Sequence, residues 1–161
     1  MKIAAAALLL AAASPPAPDP PKLDMTAFFT GKSHADNIIS IVFHSPHKLI
    51  VDSVGGRNKK GEFVLIDTVR EEGKPVRTRT WVMHPVGTDH FSGVLSDAIG
   101  PVDVVVHGDS AMISYLMKDG HLKILQRLQL EPDGKTLSNH VLAKKFGLAF
   151  AHVEGTIHKV D

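Results

Sequence analysis

The feature that most constrains the fold of this chain is an alternation of apolar and polar residues along short runs. Apolar side chains share one face of residues 121–131 in an extended chain: Leu122, Ile124, Leu128 and Leu130. Further strand-like runs, bounded by turn-forming residues, are 38–43, 48–54, 62–70, 75–84, 90–96, 102–108, 110–118 and 149–159. Such alternation is typical of antiparallel strands that have one face in a core and the other in water.

The runs predict an all-β fold of about eight to ten antiparallel strands, because they recur at intervals of about ten residues between turn signals. No alternation of strands with long helical patterns is present, which argues against a parallel sheet. Most connections are short and sequential, so a closed barrel is favoured over a sandwich. An up-and-down barrel of about eight strands has room inside for one small ligand.

One segment departs from this pattern. In residues 136–147, TLSNHVLAKKFG, the spacing of Leu137, Val141 and Leu142 suits a short helix, and Gly147 would end it. We therefore expect one short helix near the C-terminus, at about residues 137–146.

The N-terminus has the composition of an export signal. Residues 1–13, MKIAAAALLLAAA, combine a lysine, an apolar run and small residues suited to cleavage. The proline-rich residues 14–24 read as a linker, which a buried N-terminal helix could not continue into. Residues 25–161 then form the barrel domain, beginning with a short helical turn or a first strand at 25–31. A periplasmic or secreted location is expected.

Charge and cysteine content narrow the classes of function. Eighteen Lys and Arg against 17 Asp and Glu give a net charge of +1, and the two signs are interspersed, which argues against a nucleic-acid partner. The absence of cysteine excludes disulfides, thiol catalysis and lipidation on an N-terminal cysteine. The ten histidines are scattered without the spacing of a zinc site, so neither a metal nor another cofactor is expected.

Two arginines and the single tryptophan share one face of the predicted strand 75–84. Arg77, Arg79, Trp81 and Met83 point the same way if this segment is extended. One interpretation is structural, with a guanidinium stacked on the indole to close a core. The other is functional, with one arginine facing the lumen and pairing with a carboxylate or phosphate group of a ligand.

Three further polar side chains are candidates for the same lumen. Asp67 lies within the apolar run VLIDTV and needs a partner if it is buried, and Arg79 in the neighbouring strand is the preferred one. Asp97 is either a turn cap, a charge partner of Arg79 or a general base. Tyr115 is either a core aromatic residue or a hydrogen-bond donor in the lumen.

Landmarks along the chain resemble one family of bacterial envelope proteins. In order they are Phe29 and Gly31, Glu72-Gly73, Arg79-x-Trp81, Gly93, Asp97, Gly100, Gly108, Tyr115, Asn139, Lys145-Phe146-Gly147 and Lys159. This set is similar to the DUF3833 family, often described as putative lipoproteins. The resemblance implies a lipocalin-like, calycin-type barrel and an envelope location but no assigned activity. The chain departs from the family in lacking the lipobox cysteine, and in having Ile113, Ser114 and residues 125–130 where aromatic residues are expected.

Together these features predict an exported barrel that binds a small apolar molecule such as a fatty acid or another lipid, and a peripheral membrane contact is compatible with that role. The expected ligand-binding residues are Arg79, Trp81, Asp67 and Tyr115. One alternative is an isomerase or hydrolase acting on a lipid-like substrate, with Asp67 or Asp97 as the base. The other is a structural envelope protein whose barrel is filled by its own side chains.

Overall fold

A computed structural model describes residues 21–160 of the chain. The predicted signal peptide and most of the predicted linker lie outside these residues. The described part begins with a short helix, α1, at Met25–Phe29, followed by ten strands. These are β1 Gly31–Ile41, β2 His47–Arg57, β3 Phe63–Glu71, β4 Arg77–Pro85, β5 His90–Leu95, β6 Ala98–His107, β7 Ser110–Met117, β8 Lys123–Leu130, β9 Thr136–Lys145 and β10 Leu148–Val160.

Each strand pairs antiparallel with the next in sequence, and the last pairs with the first. The strands therefore close into a barrel in the order β1-β10-β9-β8-β7-β6-β5-β4-β3-β2. Closure runs along most of β1, from Lys32 opposite Val160 to Ile41 opposite Ala151. An all-β, closed antiparallel, lipocalin-like barrel is confirmed, and each of the nine predicted runs overlaps a strand.

The expected helix near the C-terminus is wrong. Residues 136–145 form β9, which pairs with β8 on one side and β10 on the other. Leu137 and Ala143 are buried on its inner face, so a period of two decides the conformation of this segment. Gly147 ends a strand rather than a helix. With Phe146 it makes a two-residue turn in which both residues have positive φ, as a type I′ hairpin requires.

Helix α1 closes one end of the barrel. Leu23, Phe28 and Phe29 are buried in the core there, and the Asp24 side chain caps the helix by accepting from the backbone N–H of Ala27 at 2.9 Å. The other end has no α-helix among the described residues, and its connection between β7 and β8 contains a 3-10 turn at Asp119–His121. It is formed by the turns after β1, β3, β5, β7 and β9, and we call it the open rim.

Candidate functional site

The barrel encloses a cavity of about 350 Å³ that reaches from α1 to the open rim. Its wall is mainly apolar, because in each strand the side chains of one parity point inward and most of them are aliphatic or aromatic. Representative lining residues are Val51, Phe63, Leu65, Ile124, Val141 and Phe150. Cavities of this size and character are typical of sites for small molecules.

A polar cluster interrupts the apolar wall, centred on the buried carboxylate of Asp67. This residue is only 3% exposed and accepts three hydrogen bonds. Ser53 Oγ donates to Oδ1 at 2.7 Å, while Trp81 Nε1 and Arg79 Nη2 donate to Oδ2 at 2.7 and 3.1 Å. The donors compensate for the burial of the carboxylate, which would otherwise be strongly unfavourable.

Arg79 links this carboxylate to the other side chains of the cluster. Its guanidinium lies 5.3 Å from the Trp81 ring centroid, and its Nη1 lies 3.5 Å from the Tyr115 hydroxyl and 3.9 Å from Asp97 Oδ2. Burial disfavours the charge, but Tyr115, Asp67 and Asp97 outweigh that effect and raise the pKa of Arg79. The Arg79 Nε and the Asp97 Oδ1 are buried without a hydrogen-bond partner.

Tyr115 completes the cluster from β7. Its ring packs edge-on against Trp81 with a centroid separation of 5.6 Å. Burial raises the pKa of the Tyr115 hydroxyl above its ordinary value, and Arg79 partly opposes that shift. The hydroxyl therefore stays protonated at neutral pH and keeps a proton to donate.

A second charged group lies at the open rim. Glu71 is buried, and its Oε1 contacts Lys74 Nζ at 2.8 Å and His47 Nε2 at 3.0 Å, while Arg77 Nη1 is 3.6 Å from Oε2. Burial alone would raise the pKa of Glu71, but the hydrogen bonds from Lys74 and His47 lower it overall. Two permanent cations thus surround one carboxylate on the β3–β4 side of the mouth, while Asp119 lines the cavity from the connection between β7 and β8.

A row of amides forms a third polar group, on the opposite wall. Gln126 Nε2 donates to Asn139 Oδ1 at 2.8 Å, and Asn139 Nδ2 donates to Asn37 Oδ1 at 2.9 Å. Asn37 in turn donates to the backbone oxygen of Leu49 at 3.3 Å. The row ties β8, β9, β1 and β2 together across the place where the barrel closes.

The structure brings the four predicted ligand-binding residues together, with Asp97 beside them. All four line the cavity, and Arg79 is both stacked on Trp81 and paired with Asp67. Arg79 can therefore stack on Trp81 and face the lumen at the same time, so the geometry allows both the structural and the functional interpretation of this strand.

Sequence reasoning missed the amide row and the cations around Glu71. The signal for the amides was present, since Gln126 and Asn139 each interrupt the apolar face of a strand, as Asp67 does. Within residues 21–160, no group of three or more His, Cys, Asp or Glu side chains is placed to hold a metal ion. In the same described part, none of the helices has the length and apolar character needed to cross a membrane.

Comparisons with known proteins relate the chain to one family and to several barrels. The model of a family described as "Protein of unknown function (DUF3833)" matches residues 10–159. No curated protein matches the chain.

Three solved structures share the fold. An S-type phycobiliprotein lyase from Guillardia theta has a TM-score of 0.64 at 4% identity, over 84% of this chain and 90% of that one. Rv2717c from M. tuberculosis has a TM-score of 0.61 at 13% identity, over 84% and 94%. A DUF3598 protein of unknown function from Nostoc punctiforme has a TM-score of 0.58 at 12% identity, covering 88% of this chain and 51% of that one. The chain therefore spans about half the length of the Nostoc protein.

Proposed function

The chain belongs to the DUF3833 family, and we propose that it binds a small, largely apolar molecule, such as a fatty acid or another lipid, inside its barrel. The observation that carries this proposal is the apolar cavity of about 350 Å³ that reaches the open rim. A barrel filled by its own side chains, the structural alternative, would leave no such space.

The distribution of charge suggests how the ligand is oriented. In the lumen, the Arg79 guanidinium is already flanked by Asp67 and Asp97, so the polar cluster has no excess positive charge for a carboxylate or phosphate headgroup. On the β3–β4 side of the mouth, Lys74 and Arg77 outnumber Glu71, whereas Asp119 lies on the β7–β8 side. We therefore propose that the apolar part enters the lumen while an anionic headgroup stays at the mouth, near Lys74 and Arg77.

This assignment differs from the interpretation in which Arg79 pairs with the headgroup of the ligand. Arg79 and Asp67 pair across neighbouring strands, and in this proposal their main contribution is to hold the wall of the cavity. Tyr115 keeps a hydroxyl proton with which to donate to a ligand group inside the lumen.

The enzymatic alternative gains no support from Asp67. Its Oδ2 already accepts two hydrogen bonds and its Oδ1 one, so three of about four acceptor sites are occupied, and the paired Arg79 disfavours protonation of the carboxylate. A general base needs free access to its substrate, within about 3 Å of the proton that it removes.

Blocking the lumen tests the proposal. Ala143 and Leu142 are neighbours in β9 that point to opposite faces, and only Ala143 lines the cavity. We expect A143F to weaken binding of dansyl-labelled undecanoic acid at least tenfold, and L142F to leave it unchanged. Equal affinity of A143F and the wild type would overturn the proposal. Native mass spectrometry of the purified protein would identify any co-purified ligand.

The position of the headgroup has its own test. Arg77 is half exposed and lies at the far edge of the Glu71 group, so R77M leaves Lys74 and His47 on that carboxylate. We expect this variant to bind the charged probe about three- to tenfold more weakly, a loss of about 0.7–1.4 kcal/mol. Binding of the methyl ester of the same probe should not change. An equal loss for both probes would contradict a headgroup at the mouth.

We also propose that the protein is exported, on the composition of residues 1–13. Intact mass of protein recovered from the cell envelope should place the new N-terminus at Ser14 or within a few residues of it. Full-length protein beginning at Met1 in the cytoplasm would refute this proposal.

A further inference from the structure

Two phenylalanines project into solvent at the open rim. Phe43 and Phe146 expose 101% and 92% of their reference surface, and no other aromatic side chain of residues 21–160 is exposed to this degree. They lie at the tips of the β1–β2 and β9–β10 hairpins. These tips are adjacent, since β1 pairs with β10 and the backbone N–H of Val42 donates to the oxygen of Phe150 at 3.0 Å.

Both phenylalanines have a backbone conformation that their residue type disfavours. The φ angles of Phe43 and Phe146 are 65° and 52°, in the left-handed region where Gly and Asn are the usual residues. Burial of the rings does not offset this strain within the protein, because the rings are in water. Turn geometry sets these φ angles, and residues kept in such disfavoured conformations are enriched at functional sites.

Basic residues lie beside the Phe146 ring and on the neighbouring strand ends. Lys145 Nζ lies 5.9 Å from the ring centroids of both Phe146 and Phe150. Lys144 and Lys123 lie directly opposite each other on β9 and β8, an arrangement that is unfavourable for like charges. Within the described part of the chain, none of these three lysines forms an ion pair with a carboxylate.

We propose that this tip surface, defined as Phe43, Phe146 and Leu148 with Lys123, Lys144 and Lys145, docks on the surface of an anionic phospholipid bilayer. The two rings enter the boundary between headgroups and acyl chains, where aromatic and aliphatic side chains are stabilised. The lysines meet the lipid phosphates, which relieves their mutual repulsion. Because the cavity opens at the same rim, docking places its mouth against the bilayer.

Charge and shape favour a bilayer over a second copy of this chain. A dimer formed through the tip surface would bring two lysine clusters together. Two projecting hairpin tips also bury little area, while stable interfaces bury about 1,200–2,000 Å². A bilayer is a deformable, negatively charged partner that accepts projecting side chains without a complementary pocket.

The test compares vesicle binding by variants that keep the fold. F43N/F146N removes both rings and introduces a residue that adopts positive φ more readily, so we expect it to be at least as stable as the wild type. The control V54T/V94T removes apolar surface from two exposed positions on the barrel wall, outside the tip surface. Binding is measured by co-sedimentation with vesicles of equal parts phosphatidylcholine and phosphatidylglycerol, and with vesicles of phosphatidylcholine alone.

We expect the wild type and V54T/V94T to bind the anionic vesicles, and F43N/F146N to bind them at least tenfold more weakly. K144Q/K145Q should bind more weakly and with less dependence on salt. Failure of the wild type to bind, equal binding by F43N/F146N, or a dimer that the double variant dissociates in light scattering without any vesicle binding would each overturn the inference. Dansyl-undecanoic acid binding by F43N/F146N should equal that of the wild type, so failed docking and failed ligand binding are separate results.

Discussion

Asp67 and Arg79 are opposite each other in the register of β3 and β4, and both face the lumen. Together with the hydrogen bonds from Ser53 and Trp81, their contact gives each oxygen of the Asp67 carboxylate at least one donor. Removing the cation from such a set strands a buried charge, which is more unfavourable than losing an exposed ion pair.

R79M tests how much the Asp67–Arg79 pair contributes to the free energy of unfolding. We expect it to lower the free energy of unfolding by about 3–5 kcal/mol, because Asp67 would remain buried without a counter-charge. Adding D67N should restore part of that loss. The matched control is R77M, on the same face of β4 but half exposed, which should cost less than about 1 kcal/mol. Urea unfolding measures all four proteins, and similar losses for R79M and R77M would contradict a buried pair.

A second group of charged side chains, on the outer wall of the barrel, predicts that stability depends on pH. His34 Nδ1 lies 2.6 Å from Asp52 Oδ1, and Arg70 bonds the other oxygen of Asp52. The hydrogen bond to Asp52 raises the pKa of His34 above 6.5, and the same bond, with that from Arg70, lowers the pKa of Asp52 below 3.8. His34 and Asp52 are therefore both charged in the pH range between the pKa of Asp52 and the pKa of His34.

H34Q should be less stable than the wild type at pH 5.5 by a few tenths to about 1 kcal/mol, since the pair is partly exposed. A raised histidine pKa gives stability that is present below the unfolded value and is lost as pH rises through the folded value. The difference should therefore vanish by pH 9. H84Q, at an exposed histidine of β4, serves as the control. A constant deficit across this range would show that His34 acts through packing alone.

At the scale of elements, the closed end depends on one contact between the two ends of the described chain. Lys159 Nζ, on β10, donates to the backbone oxygens of Ala27, Phe28 and Thr30 at 3.0, 3.1 and 2.8 Å. It thereby gives carbonyl groups at the C-terminus of α1 a hydrogen-bond donor, and its positive charge interacts favourably with the negative end of the helix dipole. Gly55 of β2 allows the end of α1 to pack directly against β2, since a Cβ there would lie 2.0 Å from the backbone oxygen of Phe29.

K159M should loosen α1 without disturbing the strands. The variant keeps the length of the side chain but leaves three carbonyl groups without their donor, so we expect a loss of about 1.5–3 kcal/mol in unfolding free energy. Hydrogen exchange at the amides of Phe28 and Thr30 should accelerate more than exchange in β3 or β8. The exposed Lys32 provides the control, and K32M should change stability by less than about 0.5 kcal/mol. Uniform acceleration across the barrel would argue against a local role.

At the scale of the whole molecule, the barrel combines a closed end, an apolar lumen and a charged mouth. Nearly every strand contributes an inward face to the lumen, so a ligand there contacts most of the fold at once. Binding of this kind stabilises the native state by mass action, because the unfolded chain has no cavity.

Dansyl-undecanoic acid at one hundred times its Kd should raise the free energy of unfolding by about 2.7 kcal/mol. A143F should show almost none of this increase, because its lumen is blocked, and L142F should show all of it. Chemical unfolding with and without the probe measures the effect. A probe that binds but leaves the stability of the wild type unchanged would indicate a surface site rather than the lumen.

The alternation of residues determined the fold class and much of the site. Period two sets which side chains face inward, so the shared face of Arg77, Arg79, Trp81 and Met83 followed from local geometry alone. The burial of Asp67 followed in the same way, as did its need for a partner. Gln126 and Asn139 also break apolar faces, but their contact depends on the register in which β8 pairs with β9, which neither strand sets by itself.

Only the tertiary structure decided what depends on pairing between distant segments. The spacing of apolar residues in 136–145 also suits a helix. As a strand, this segment pairs with β8 on one side and β10 on the other, so that the closed barrel has no unpaired edge. The adjacency of Phe43 and Phe146, and the contact of Lys159 with α1, likewise join residues more than a hundred positions apart. No local pattern encodes such contacts, because they exist only once β1 has paired with β10.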